Sequence, residues 1–161
     1  MFWALTTDLV DQRGHEFEQV LADIQTLNQW ARAGRLEVTA ISLAAYPFVQ
    51  EDYALLPHGA SIGSGYGPVV VARRPLSLTE LAETEIVVPG TMTTSYLTLR
   101  LVLDDFRHRE LPFAEIPDEV AAGRAEAGLL IHEGRKAVTE LLERGEALGA
   151  FPAPVRIDFI R

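Results

Sequence analysis

Two short stretches of this chain combine residue types that could do chemistry. Pro89-Gly90-Thr91-Met92-Thr93-Thr94-Ser95 gathers four hydroxyl side chains where an apolar strand should hand over to a helix. Free N–H groups and the positive end of a helix favour a carboxylate or phosphate, and hydroxyls add donors. The pattern therefore predicts an anion site, with simple N-capping by one Thr or Ser as the competing reading. His132-Glu133-Gly134 directly follows the apolar run 127–131. Ligands of open α/β sheets gather beyond the carboxyl ends of strands, and histidine is the side chain suited to proton transfer near neutral pH. His132 is thus a candidate base, against a strand-end histidine that only hydrogen-bonds a carbonyl. A third stretch, Thr39-Ala40-Ile41-Ser42, could reach the same cleft or cap the next helix.

The remaining candidates carry less. His15, His58 and His108 lie in turn-like or charged segments and read as exposed; no histidine pair has zinc-helix spacing, so no metal is expected. Glu126 and Glu133 have no spacing that marks a carboxylate pair. Tyr46, Tyr53, Tyr66 and Tyr96 could line an aromatic pocket, though core packing is the more frequent use of such residues. The loop 58–68 holds Gly59, Gly63, Gly65 and Gly67 but feeds a strand rather than a helix and lacks a Walker lysine, so it is no dinucleotide or phosphate fingerprint. With no cysteine, disulfides, thiolate metal sites and cysteine nucleophiles fall away together. A formal charge of −9 repels a phosphate backbone, which argues against a nucleic-acid partner. No apolar run reaches the roughly 18 to 20 residues of a membrane span.

The elements that must position these residues follow from periodicity. Phe2, Trp3, Leu5 and Leu9 have helical spacing and predict an opening helix that ends near Gly14. Residues 17–21 alternate as a half-buried strand, and Asp23 then caps a helix carrying Ile24, Leu27, Trp30 and Ala31, closed by Gly34. Strands are predicted at 38–43, 69–72, 85–88, 110–113 and 127–131. Helices are predicted at 44–49 around Pro47, after Ser77 with Glu80 in capping-box order, at 96–102, and at 117–122 before Gly123. Such alternation predicts an α/β fold with a mainly parallel sheet.

Read together, the segments become specific. They are Asp23-Ile-Gln-Thr-Leu-Asn-Gln-Trp; Glu37-Val-Thr-Ala-Ile-Ser42 with Ala45-Tyr46; Leu55-Leu-Pro-His-Gly-Ala-Ser-Ile-Gly-Ser-Gly-Tyr-Gly-Pro-Val-Val-Val-Ala-Arg73; Val88-Pro-Gly with Thr93-Thr94; and Ala127-Gly-Leu-Leu-Ile-His-Glu-Gly134. Five blocks in this order resemble the 1,4-dihydroxy-6-naphthoate synthase family of menaquinone biosynthesis by the futalosine route, over residues 1 to about 135. The resemblance implies a type II periplasmic-binding-protein-like fold, with a first lobe over residues 1–83, a second over 84–161 and a ligand cleft between them. It implies a cytoplasmic carbon–carbon lyase that needs no cofactor and takes a small carboxylate substrate, cyclic dehypoxanthine futalosine. His132 matches the family's base, Thr93 and Thr94 its carboxylate-holding hydroxyl pair, and Ala40, Ile41 and Ser42 its other substrate-contacting segment.

Compared with that family, the chain is expected to lack a first strand with its cleft-facing loop and to depart from the pattern after Gly134. A truncated or frame-shifted reading of a longer gene, with a marginal or aggregating product, is the corresponding expectation. Other functions compatible with the same architecture are a solute-binding protein for a small anion, an inactive truncated product, and a paralogous dehydratase of the same pathway, against which the His-Glu-Gly block argues.

Overall fold

The computed structural model describes residues 9–60 and 67–131. Its centre is a four-stranded sheet in the order β1 (Val69–Ala72), β4 (Ala127–Leu130), β2 (Ile86–Val88), β3 (His108–Glu110). β2 pairs in parallel with both β3 and β4, whereas β1 runs antiparallel to β4. Two of the three pairings are therefore parallel, as α/β alternation predicts.

Alternation along the central strands sends side chains to both faces, and helices cover each. Ile86 and Val88 of β2 join Ala127 and Leu129 of β4 under α2 (Leu78–Glu83) and α3 (Thr94–Leu103), with Leu81, Tyr96, Leu99 and Phe106 completing that core. Val87 and Leu130 face the other way and pack with Ile116 and Val120 of α4 (Ile116–Ala121). A strand covered on both faces should read as continuously apolar, and every residue of β2 and β4 is buried. Gly128 is required there: a Cβ would meet Ile116 Cγ2 at 2.6 Å and Val120 Cγ2 at 3.0 Å.

The helix ends follow the expected chemistry. Ser77 and Glu80 form a complete capping box on α2, and Asp23 accepts from the Thr26 amide at 3.0 Å to open α1 (Ile24–Arg32). Glu80 also binds Arg74 at 2.8 Å. The Ser77 backbone N–H, the Arg74 guanidinium and the Ser77 hydroxyl hold its carboxyl down at about 2. Gly34 closes α1 at φ +62°, with its N–H on Ala31 O at 2.9 Å. Residues 43–48 form a 3-10 turn that contains Pro47.

Several sequence expectations are corrected. Residues 17–21 and 38–43 form no strand: Val38 sits in a bend and Leu43 opens the 3-10 turn. Strands exist only as hydrogen-bonded ladders, and no neighbouring strand meets these segments among the described residues. Their apolar side chains stay exposed: Phe17 is 48%, Leu21 85% and Val38 55% accessible. Both segments instead line one groove of about 620 Å³, together with Leu27 and Leu36. Residues 9–14 are not helical, and the rest of the expected opening helix lies outside the described residues. The strand expected at 110–113 sits two residues earlier, because Pro112 cannot donate to a ladder and opens a 3-10 turn instead. His108, read as exposed, is half-buried on β3, stacked edge-on against Tyr96 with ring centroids 4.9 Å apart.

The largest correction concerns α1. Its expected apolar stripe of Ile24, Leu27 and Trp30 is only half-buried, whereas Gln25, Asn28 and Ala31 are the buried residues. Ala31 belongs to both readings. The polar stripe faces inward because it meets the main chain of the turn that follows β2.

Candidate functional site

β2 and β4 are parallel, so their carboxyl ends leave the sheet at one edge. From β2 the chain passes through Pro89 and Gly90 into the Thr91–Ser95 stretch and α3; from β4 it passes to Ile131. His132 follows but lies outside the described residues, as do Glu133 and Gly134. The topological argument thus delivers the residue before His132 to the same edge as the hydroxyl stretch.

The four hydroxyls of that stretch have separate jobs. Thr93 is only 1% exposed and caps α3: its Oγ1 accepts from the Tyr96 amide at 3.2 Å and lies 2.7 Å from Gly90 O, to which it donates. Ser95, also buried, sits 2.9 Å from Thr93 Oγ1. The Thr91 hydroxyl and amide both donate to Glu110 Oε1, at 2.6 and 2.9 Å. Thr94 is exposed, as is Thr91, and its Oγ1 accepts from the Ala44 amide at 3.2 Å. Capping and ligand readings therefore divide between neighbours: Thr93 is committed to the helix, and Thr94 keeps its hydroxyl proton free of any acceptor among the described residues.

Ser42 lies two residues before Ala44, so the contact from Thr94 draws the residue 40–42 segment to the turn. Asn28 completes the link. Its side chain is fully buried; Oδ1 accepts from the Ser42 amide at 2.8 Å, while Nδ2 donates to Ser42 Oγ at 3.1 Å and to Met92 O at 3.3 Å. A backbone N–H can only donate and a carbonyl can only accept, which fixes the orientation of this amide without ambiguity. One turn earlier on α1, Gln25 Oε1 accepts from the Met92 amide at 3.3 Å. The two amide side chains thus hold both polar groups of Met92.

Close approach of α1 to the turn needs a glycine. Gly90 has φ +145°, and a Cβ there would lie 2.1 Å from Gln25 Cδ. Asp23, which starts α1, is pushed up by partial burial, but hydrogen bonds from the Thr26 hydroxyl and amide outweigh this and hold its carboxyl below the usual range.

The structure therefore brings Ser42, Thr93 and Thr94 together through Asn28, Met92 and Ala44. Ala40 and Ile41 are half-buried on the approach to Ser42, with Ala40 also at the rim of the apolar groove. Sequence reasoning missed Gln25 and Asn28. Their signal was present, as two amides three apart with Ala31 continuing the same helical face, but a helix is conventionally oriented by its apolar stripe. Chemically, the arrangement offers two hydroxyl donors: Ser42 Oγ and Thr94 Oγ1 each accept from an N–H, and each retains a proton for a ligand oxygen. Among the described residues no group of three His, Cys, Asp or Glu could hold a metal, and no helix is long and apolar enough to cross a membrane.

An α/β sheet with helices on both faces and hydroxyl donors at the carboxyl edge of its parallel strands defines the class of protein. More particularly, the chain belongs to the menaquinone biosynthesis family, whose description matches residues 1–144. It is 46% identical over 118 residues to a 1,4-dihydroxy-6-naphthoate synthase of Thermus thermophilus, covering 73% of this chain and 43% of that protein. It is 38% identical over 120 residues to the protein of that name from Streptomyces coelicolor, covering 71% and 42%. The fold resembles the crystal structure of an Archaeoglobus fulgidus protein with a TM-score of 0.80 at 44% identity, over 87% of this chain and 52% of the other. The chain thus spans less than half the length of the two synthases it matches.

Proposed function

We propose that this chain carries part of the catalytic cleft of a lyase that converts cyclic dehypoxanthine futalosine to 1,4-dihydroxy-6-naphthoate. The observation that carries the reading is the hydrogen-bonded circuit joining Ser42, Asn28, Met92, Thr94 and Ala44 at the carboxyl edge of β2. It sets two hydroxyl donors where a substrate carboxylate can be held. In this proposal Ser42 and Thr94 donate to the carboxylate, Thr93 holds the turn and the helix end behind them, and Ala40 and Ile41 line the approach. His132, two residues beyond β4 in the chain, takes a proton from the substrate and so starts carbon–carbon cleavage, the general-base role to which imidazole is suited.

The architecture proposed with it is type II periplasmic-binding-protein-like, with lobes over 1–83 and 84–161. β1 then crosses from the first lobe into the sheet of the second, which accounts for a strand antiparallel to its neighbour at the sheet edge. Soluble, cytoplasmic work on a small molecule accords with this reading, as does the biosynthetic family.

The test is product formation from cyclic dehypoxanthine futalosine, using the 161-residue chain and a chimera in which it replaces the matching stretch of the Thermus thermophilus synthase. The chimera should release 1,4-dihydroxy-6-naphthoate, and His132→Ala should lower its rate by about 10²-fold or more. An unchanged rate in that variant removes His132 as the base. Substrate binding without turnover by the chimera would favour a passive anion-binding protein.

A further inference from the structure

The circuit at Ser42 contains a device that none of its members explains alone. A hydroxyl can donate in any direction its rotation allows, and a serine beside a backbone carbonyl usually gives its proton to that carbonyl. Ser42 is not left this choice. Asn28 offers its Nδ2 proton to Ser42 Oγ at 3.1 Å while Oδ1 is occupied by the Ser42 amide at 2.8 Å. Asn28 meets Ser42 Oγ with Nδ2, a group that can only donate, while its Oδ1 is turned to the Ser42 amide, so the Ser42 proton points away from Asn28. The same amide group is anchored from behind by Met92 O at 3.3 Å, in a residue fully removed from solvent.

We propose that Asn28 is a positioning residue that sets the polarity of the Ser42 hydroxyl, turning its proton toward the bound carboxylate, and that it does so without touching the ligand. The proposal rests on the carboxylate-binding reading above. The Thr94 hydroxyl is polarised in the same sense by a backbone group, since the Ala44 amide donates to its oxygen at 3.2 Å. The two donors are then aligned by different means, one through the main chain, the other through a single asparagine. Only the second can be switched by an isosteric side-chain change.

Asn28→Asp separates polarity from shape. The new carboxylate is isosteric and still accepts from the Ser42 amide, but it has no proton for Ser42 Oγ or Met92 O. It should take the Ser42 proton for itself and withdraw it from the ligand. When protonated, the carboxyl can again accept from the amide and donate to Ser42 Oγ, and burial raises the pH at which that happens.

The experiment measures binding of 1,4-dihydroxy-6-naphthoate by calorimetry to the 161-residue chain and its variants between about pH 5.5 and 8, where the probe's carboxyl stays ionised. Thermal midpoints and hydrogen exchange of the Ser42 amide are followed in parallel. Parent and Asn28→Asp share every other ionising group, so the readout is the ratio of their affinities at each pH. Asn28→Asp should bind about tenfold or more weakly at pH 8, the loss of one hydrogen bond to a charged group, and recover as pH falls while the Ser42 amide stays protected. Ser42→Ala should lose a similar factor at every pH, and combining it with Asn28→Asp should add almost nothing. Equal affinity of parent and Asn28→Asp, or a loss that pH does not restore, overturns the positioning role and leaves the carboxylate site standing. No binding by a parent whose Ser42 amide is protected refutes the carboxylate reading and the positioning role with it.

Discussion

Replacing Gly90 with alanine tests whether α1 and the turn after β2 are pressed together as described. Two costs arise at once. At φ +145° a side chain is strained whatever space it finds, an effect of roughly 1–3 kcal/mol. The new methyl group would also lie 2.1 Å from Gln25 Cδ and 2.3 Å from its Cγ and Oε1, so that side chain must swing away. Gln25 then gives up the Met92 amide it accepts from at 3.3 Å, a loss of about 0.5–1.5 kcal/mol. Gly90→Ala should therefore destabilise the chain by about 1.5–4.5 kcal/mol. Gln25→Ala removes all three of the atoms that the methyl group would meet, so in that background only the backbone strain remains. Urea unfolding of the parent, both single variants and the double variant gives the four stabilities, provided the slopes agree. A coupling of about 0.5–1.5 kcal/mol between the two positions is expected. The reasoning fails if Gly90→Ala costs the same in both backgrounds, because Gln25 would then not be what the turn packs against.

The other expectations concern the helix ends near the site. Thr93→Ala should lower stability by about 1–2 kcal/mol through loss of the α3 cap, and Thr93→Ser should restore most of it, measured by the same unfolding; an unaffected Thr93→Ala would show that the hydroxyl is free for ligand after all. The Glu80 carboxyl is held at about 2 against an ordinary 4.5, and the sign follows from that lowering. Its contribution is complete above about pH 4.5 and fades as pH falls toward about 2. The stability difference between parent and Glu80→Gln should therefore shrink over that window in acid titrations of the unfolding midpoint, and a difference that grew on acidification would contradict it.

Much of the second half of the chain could be read without coordinates. Residues 86–88 and 127–130 are continuous apolar runs of strand length, Pro89-Gly90 breaks the chain after the first of them, and Ser77 with Glu80 announces a helix start. Each signal is local, carried by neighbours in sequence, and each element formed where expected. The register of 108–110 was displaced only because Pro112 interrupts the ladder. The first half was misread where the signal depended on distant partners. Residues 17–21 have a strand's alternation, yet alternation states only which side chains could share a face. Whether a ladder forms depends on a neighbour strand.

The candidate site divides along the same line. Its residue types, Ser42, Thr93, Thr94 and the histidine after β4, and the expectation that hydroxyls at a helix start favour an anion, were determined by the sequence, because hydrogen-bonding capacity belongs to a side chain wherever it sits. Which hydroxyl caps and which faces outward was decided by the tertiary structure: adjacent residues at a helix start point in different directions, and Thr93 turns onto Gly90 and Tyr96 whereas Thr94 meets Ala44 of the 43–48 turn, 50 residues away in the chain. The roles of Gln25 and Asn28 exist only at that level. Their partners, Ser42 and Met92, lie 14 to 67 residues away in the chain, and a buried polar face on a helix has meaning only once the groups that satisfy it have been brought alongside.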